Sequence, residues 1–248
     1  MTLDLFERFT EAGPAREDIA DGAVLLRGLA CPIEAELVIA LKNITNQAPF
    51  RHMMTPGGHR MSVAMTNCGS LGWVTDRLGY RYGACDPESS RPWPAMPDCF
   101  RELAGQAAER AGFDAFAPDA CLINSYQPGA RMSLHQDKDE DDGRAPIVSV
   151  SLGLSAIFLF GGSKRSDKPQ RLRLRHGDVV VWGGPARFAY HGVAPIADGD
   201  HALLGRQRIN LTFRKAGWIA DNSSMRHQRR HRERFEHAAG GAAENEFP

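Results

Sequence analysis

The sequence predicts a mostly β protein with flanking helices, built as a double-stranded β-helix, the two-sheet jelly roll that cupins use. Two observations carry this prediction. After residue 118, eight short strand-like runs follow one another, separated by Pro-Gly, Gly-Leu, Gly-Gly and His-Gly-Asp turns. Before it, two stretches carry their apolar residues at helical period, and amphipathic helices need an apolar surface to cover, most simply a sheet.

Composition bounds what such a protein can be. At 248 residues and 42% hydrophobic, the chain can bury a full core in one domain, or one domain plus tails. Formal net charge is zero, so no global basic field advertises nucleic acid, although a local basic groove stays open. Cys31, Cys68, Cys85, Cys99 and Cys121 are scattered and form no C-x-x-C, which reads as reduced thiols in a cytosolic protein. The charged start Met-Thr-Leu-Asp-Leu-Phe-Glu-Arg is no signal peptide, and no run approaches the ~20 apolar residues that span a bilayer. A cytoplasmic protein with no membrane partner is expected, as a monomer.

Taken in order, residues 1–20 are mixed, carry Gly13-Pro14 and read as a loosely attached arm. Ala23 to Leu29 reads as a first strand. From Pro32, the residues Ile33, Leu37, Ala40, Leu41 and Ile44 form one helix face, with proline tolerated in the first turn. Phe100, Leu103, Ala104, Ala107, Ala108 and Ala111 repeat that pattern over Pro97 to Ala111, and Gly112 ends it. Between the helices, Pro49 to Met96 is rich in Gly, Pro, Met and aromatics, including Trp73, Tyr80, Tyr82 and Trp93. A loop this long is either functional or disordered, and the aromatics argue against plain disorder. A surface hairpin with its aromatics packed beneath it fits the same composition.

The strand series then runs Ala120–Tyr126, Arg131–Gln136, Ile147–Leu152, Ala156–Phe160, Arg171–Arg175, Asp178–Trp182, Phe188–His191 and Arg208–Arg214. Residues 219–248 hold an arginine-rich cluster and a low-complexity Ala/Gly run, and read as a disordered, solvated tail.

Two elements carry chemistry. In Ser133-Leu-His-Gln-Asp-Lys-Asp139, an extended backbone would turn His135, Asp137 and Asp139 to one side. An imidazole beside a carboxylate is two-thirds of the 2-His-1-carboxylate set that holds non-haem Fe(II) with open positions. The third ligand must come from a later histidine. His176 sits in a turn, and spacing places His191, at the end of a short β run, only slightly ahead of His201. An EF-hand reading of the acidic run fails, since its sixth and twelfth positions from Asp137 are Asp142 and Val148.

The second element is Arg208-Ile-Asn-Leu-Thr-Phe-Arg214, whose arginines and Asn210 share one face while Ile209, Leu211 and Phe213 share the other. Buried arginines need anions, so this face suits a small dicarboxylate, with Asn124 and Tyr126 adding neutral hydrogen bonds; a solvated edge strand is the plainer alternative.

N-x-Y at 124–126, H-x-D at 135–137, a later histidine and R-x-N-x-T-F-R at 208–214 occur in this order. In this the sequence resembles the AlkB family, Fe(II)- and 2-oxoglutarate-dependent dioxygenases that repair alkylated bases, and especially its bacterial members. The likeness runs from about residue 20 to 217. It includes Thr55-Pro-Gly-Gly, Ser62-Val-Ala-Met-Thr-Asn-Cys-Gly, Trp93-Pro-Ala-Met-Pro, Leu134-His-Gln-Asp-Lys-Asp and Gly177-Asp-Val-Val-Val-Trp-Gly-Gly.

The resemblance implies a dioxygenase domain over 21–218, with a nucleotide-recognition lid at 49–96 and a jelly-roll core at 118–215. It implies Fe(II) held by His135, Asp137 and His191, which resolves the choice against His201. Arg208, helped by Tyr126 and Asn210, would take the distal carboxylate of 2-oxoglutarate, and Arg214 with Asn124 its metal-chelating end. Trp73 would stack on a flipped base against His135, Tyr80 would touch the backbone phosphate, and Asp139 and Arg165 would line the base pocket.

The implied reaction couples 2-oxoglutarate and O2 to succinate and CO2, hydroxylates the N-alkyl carbon and releases an aldehyde, a direct-reversal repair of alkylated DNA. The physics agrees: alkylation at adenine N1 or cytosine N3 makes the base cationic and unpairs it, so it flips at lower cost. Such a cation gains ~0.5–2 kcal/mol over an indole face. The alternatives are an oxygenase acting on RNA or on a protein side chain, and a non-catalytic sensor of damaged or single-stranded nucleic acid. A broken triad would mark the sensor; here the triad is intact.

Overall fold

The computed structural model describes residues 15–217. Most of the expected arm, and the expected tail at 219–248, lie outside the described residues. The described chain runs β1 (Arg16–Ala20), β2 (Ala23–Leu26), α1 (Glu34–Gln47), β3 (Arg51–Met54), β4 (Arg60–Gly69), β5 (Gly72–Asp76), β6 (Gly79–Gly83) and α2 (Asp98–Arg110). It continues with β7 (Ala120–Tyr126), β8 (Met132–His135), β9 (Ile147–Gly153), β10 (Ala156–Phe160), β11 (Gln170–Leu174), β12 (Val179–Trp182), β13 (His191–Val193) and β14 (Arg208–Arg214).

Three antiparallel sheets result. The major sheet has the order β1-β2-β12-β9-β14-β7-β4-β3, the minor sheet β11-β10-β13-β8, and β5-β6 form a separate hairpin. Each face of the major sheet is covered. On one face, Leu37, Leu41 and Ile44 of α1 and Phe100, Leu103 and Ala107 of α2 pack with Ile123, Val150, Val181, Ile209, Leu211 and Phe213. Fully burying side chains of this size contributes about 1.5–3 kcal/mol each. On the other face, Leu25, Val180 and Trp182 meet Phe158, Phe160 and Val193 of the minor sheet. Gly112 ends α2 as expected: at φ +91° it occupies the left-handed region, and its N–H donates to Glu109 O.

Two expectations need correction, the arm at Arg16–Ala20 and the strand ending at His191. Arg16–Ala20 is not arm but an edge strand, paired along Ala23–Leu26. Strands form within the segment expected as a lid, 49–96, ahead of the expected core at 118–215. β4 runs along β7 and β3 along β4, so 51–69 extend the major sheet and Gly72–Gly83 remains as the hairpin. Strand β13 starts at His191 rather than ending there, because Gly184–Ala186 forms a 3-10 turn just before it. Arg208–Arg214 lies between β9 and β7 and every residue in it is buried, so the solvated-edge alternative falls away.

All five cysteines are free, as expected for reduced thiols. Among the described residues, no helix is long and apolar enough to cross a membrane.

Candidate active site

His135 closes β8 and His191 opens β13, and the two strands pair with these residues as direct partners. Their rings lie 4.4 Å apart. Strand β13 comes this close because residue 192 is glycine; a Cβ there would lie 2.7 Å from Met132 O. Asp137 follows on the irregular segment after β8, which is pinned to the approach to β13 by Gln136 Nε2 donating to Phe188 O (2.6 Å).

His135, Asp137 and His191 bring one ligand atom each to within 4.8 Å of one another. The imidazole tautomers suit this. His135 Nδ1 lies 2.9 Å from Ser133 O and His191 Nδ1 3.0 Å from Ala189 O. A carbonyl only accepts, so both Nδ1 atoms carry the proton and both Nε2 atoms present lone pairs. Those Nε2 atoms lie 3.6 and 3.7 Å from the Asp137 carboxylate oxygens. Burial lowers the His191 pKa to about 4, aided by the His135 charge, so the ring is neutral at neutral pH. Burial pushes the Asp137 carboxyl up, but the Arg214 charge, with His191 and His135, outweighs it and holds the group well below the ordinary range.

Arg214 orients the carboxylate through Nε (3.0 Å) and Nη2 (2.6 Å), both on Oδ2. It also lies 3.3 Å from Glu140. Glu140 in turn accepts from Arg187 Nη2 (2.9 Å) and from the Tyr82 hydroxyl of the hairpin (2.7 Å). Arg187 donates as well to Asp137 O (2.7 Å) and Ala145 O (2.9 Å). Two carboxylates and two guanidiniums thus neutralise one another in a buried cluster, the Glu140 and Arg187 side chains being only 2% exposed. Sequence reasoning missed Glu140, Arg187 and Tyr82. Breaking such a pair leaves an uncompensated buried charge, so Arg187→Met is expected to destabilise the fold by about 3–5 kcal/mol in urea titrations. An unchanged midpoint would contradict this.

Arg208, at the other end of β14, is different. It is 1% exposed, and its Nη2 donates to Ser151 Oγ (2.9 Å). Its Nε and Nη1 are buried without a partner, as is Asn124 Oδ1 two residues from Tyr126. The Arg208 guanidinium lies 5.0 Å from the Tyr126 ring centroid. A buried guanidinium without a carboxylate is costly unless an anion completes it, which fits the dicarboxylate pocket. Asn210 fits less freely than expected, because its amide already donates to Ser149 Oγ (2.8 Å) and Val150 O (3.0 Å).

In the hairpin, the register Trp73↔Tyr82 and Thr75↔Tyr80 places all three aromatics on one face. Trp73 stacks on Tyr80 at 5.6 Å, and its Nε1 donates to Asp139 Oδ2 (2.9 Å). Buried Asn67 of β4 anchors the Trp73 backbone through two 3.0 Å bonds. Tyr80 is 50% exposed, and Arg165 is exposed on the loop after β10. His201 is not brought to the triad: it stacks on His176, which bonds Glu34.

A jelly roll with two histidines and one aspartate on its inner strands, beside a buried arginine, defines a non-haem iron oxygenase. Residues 22–214 match the family described as the 2OG-Fe(II) oxygenase superfamily. Over 213 residues the chain is 57% identical to alpha-ketoglutarate-dependent dioxygenase AlkB of Escherichia coli (strain K12), covering 86% of this chain and 99% of that protein. An alpha-ketoglutarate-dependent dioxygenase AlkB homolog of Caulobacter vibrioides (strain NA1000 / CB15N) is 49% identical over 181 residues, 73% of this chain and 80% of that one. The solved structure of OsALKBH1 superposes with a TM-score of 0.72 at 27% identity, over 81% of this chain and 100% of that chain. The chain belongs to the AlkB family, close to its bacterial members. Fe(II), with 2-oxoglutarate and O2 as cosubstrates, fits the donor set described above.

Proposed function

We propose that this protein is a 2-oxoglutarate-dependent dioxygenase that dealkylates N-alkylated bases, such as 1-methyladenine and 3-methylcytosine, in DNA. The observation that carries the reading is the buried, incompletely bonded Arg208 on the same strand face as Arg214, which holds the candidate ligand Asp137. When bound, the iron with 2-oxoglutarate and O2 supplies an oxidation that hydroxylates the N-alkyl carbon, yielding succinate, CO2, an aldehyde and the free base.

In this reading His135, Asp137 and His191 hold the iron. The neutral His191 ring and the ionised Asp137 carboxylate need release no proton to do so. Arg208 forks onto the distal carboxylate of 2-oxoglutarate, with Tyr126 packed against it. Arg214 keeps the Asp137 carboxylate oriented, and Asn124, whose Nδ2 is its donor, meets the metal-chelating end of 2-oxoglutarate. The hairpin covers the site and excludes water from it. Trp73 presents its indole face to the flipped cationic base, and Asp139, tied to that indole, adds a negative charge beside it. Tyr80 and Arg165, both exposed, meet the nucleotide around the base.

The test is incubation with Fe(II), 2-oxoglutarate and oligonucleotides bearing single defined lesions, in DNA and RNA, beside a methylated peptide. The expected product has lost the mass of one CH2 per methyl lesion, with succinate formed alongside. Hydroxylated peptide with unaltered oligonucleotides would overturn the reading, and RNA turnover exceeding DNA would change the substrate.

A further inference from the structure

Residues 164–175, Lys-Arg-Ser-Asp-Lys-Pro-Gln-Arg-Leu-Arg-Leu-Arg, hold six cations against the single acid Asp167, a net of +5 in a chain of formal net charge zero. Lys164, Arg165, Lys168, Arg171, Arg173 and Arg175 are all exposed. None of them forms an ion pair among the described residues, whereas Arg16, Arg27, Arg51, Arg81, Arg101 and Arg206 each do. Glu17 feels the charge of Arg175, but Arg27 already forks onto it at 2.7 and 3.0 Å.

The placement of the run is specific. Its loop begins beside the site: Gly161 N donates to Tyr190 O and Tyr190 N to Gly162 O, one residue before His191. Phe160 of β10 pairs with His191 on one side and Gln170 on the other; Leu159 pairs with Gly192 and Arg171. Arg171 therefore lies two strands, about 10 Å, from β13. Leu172 and Leu174 pack into the core, so Arg171 and Arg173 point off the outer face, opposite to His191, and the exposed Arg175 directly follows the strand. Their spacing, about 6.7 Å per step, is comparable with that of successive phosphates along an extended strand.

A plainer role for cations on an edge strand is to discourage pairing with another chain. Here that edge is already partly engaged. Gln170 Nε2 donates to Ile19 O (3.2 Å), and Arg27 Nη1 donates to Arg173 O (2.7 Å). Blocking does not require three exposed arginines.

We propose that residues 164–175 form a phosphodiester track, which carries the single-stranded polynucleotide flanking the target base from the active-site rim along the outer face of β11. This rests on the reading that the protein acts on bases in nucleic acid. It gives a nearly neutral chain the local field that its composition withholds.

The test is the triple variant Arg171→Ala/Arg173→Ala/Arg175→Ala, with the triple lysine replacement as control. Binding of a long unmodified single strand is followed by fluorescence anisotropy across a salt series, and turnover is measured on a methylated trinucleotide and on a long methylated strand. Each phosphate contact on a single strand contributes about 0.7 to the slope of log affinity against log salt, so losing three should flatten it by roughly 2. Affinity for the long strand at low salt should fall roughly tenfold or more, the lysine variant should keep its slope, and kcat/KM on the trinucleotide should stay the same.

An unchanged slope in the alanine variant overturns the track. So does an equal loss on trinucleotide and long strand, which would mark a folding effect. Loss of binding to anionic vesicles with unchanged binding to the long strand would also overturn it. A parent protein that binds the strand but repairs neither substrate overturns the dealkylation reading alone, since the binding measurement needs no reaction.

Discussion

Replacing Asp137 with alanine is expected to lower Fe(II) affinity more than about 100-fold and to stop succinate formation from 2-oxoglutarate, while single-stranded DNA is still bound. Losing an outer partner of a metal ligand costs about 10–100-fold in affinity, and loss of a ligand exceeds that. The variant also upsets the local charge. With Asp137 gone, Arg187 and Arg214 face Glu140 alone, and the excess positive charge repels a metal cation. Base recognition should survive, because Trp73 is held by Asn67 and Asp139 rather than by Asp137. Anaerobic titration with Co(II), read by its absorption bands, measures affinity apart from activity. Asp137→Asn keeps the volume and serves where the alanine variant unfolds. Metal affinity within a few-fold of the parent in both variants would remove Asp137 from the metal set.

The candidate site was legible in the sequence where it uses short-range geometry. A strand alternates its side chains whatever the fold, so Arg208, Asn210, Thr212 and Arg214 had to share a face, and they do. Which face is buried was not legible, because that depends on the strand's neighbours in the sheet, β9 and β7. The choice between His191 and His201 was equally closed to spacing. Strand pairing with His135 brings one to the triad, whereas stacking on His176 keeps the other away. Arg187 and Glu140 escaped notice for a related reason. A buried guanidinium–carboxylate pair reads, residue by residue, like surface charge, and Glu140 sits inside an acidic run.

The lid shows the limit from another side. β4 is buried over much of its length, yet Arg-Met-Ser-Val-Ala-Met-Thr-Asn-Cys-Gly lacks the aliphatic run of a central strand. Two of its buried residues are polar because they bond elsewhere: Thr66 donates to Ala48 O (2.7 Å), and Asn67 clamps the hairpin. Hydrophobic patterning fails where buried positions are spent on holding a functional element.

Arg208→Met is expected to split stability from function. In the absence of cosubstrate, Arg208 is a buried cation with Nε and Nη1 unbonded and no carboxylate partner. Replacing buried charges with apolar side chains of similar size is often stabilising, by about 1–4 kcal/mol. Methionine would also keep a favourable contact with the Tyr126 ring, beside which the guanidinium now lies. The ligand-free variant should therefore unfold at higher urea than the parent. Its affinity for 2-oxoglutarate should fall roughly 30-fold or more, since truncating one partner of a buried charge pair costs about 2–5 kcal/mol. Adding 2-oxoglutarate with Mn(II) should then invert the order. At 100 times its dissociation constant a ligand stabilises by about 2.7 kcal/mol, a gain open to the parent and largely closed to the variant. Urea titrations of both proteins, with and without cosubstrate, read all four states. A variant that is less stable alone yet gains as much from 2-oxoglutarate as the parent would mean that Arg208 holds the fold and not the cosubstrate.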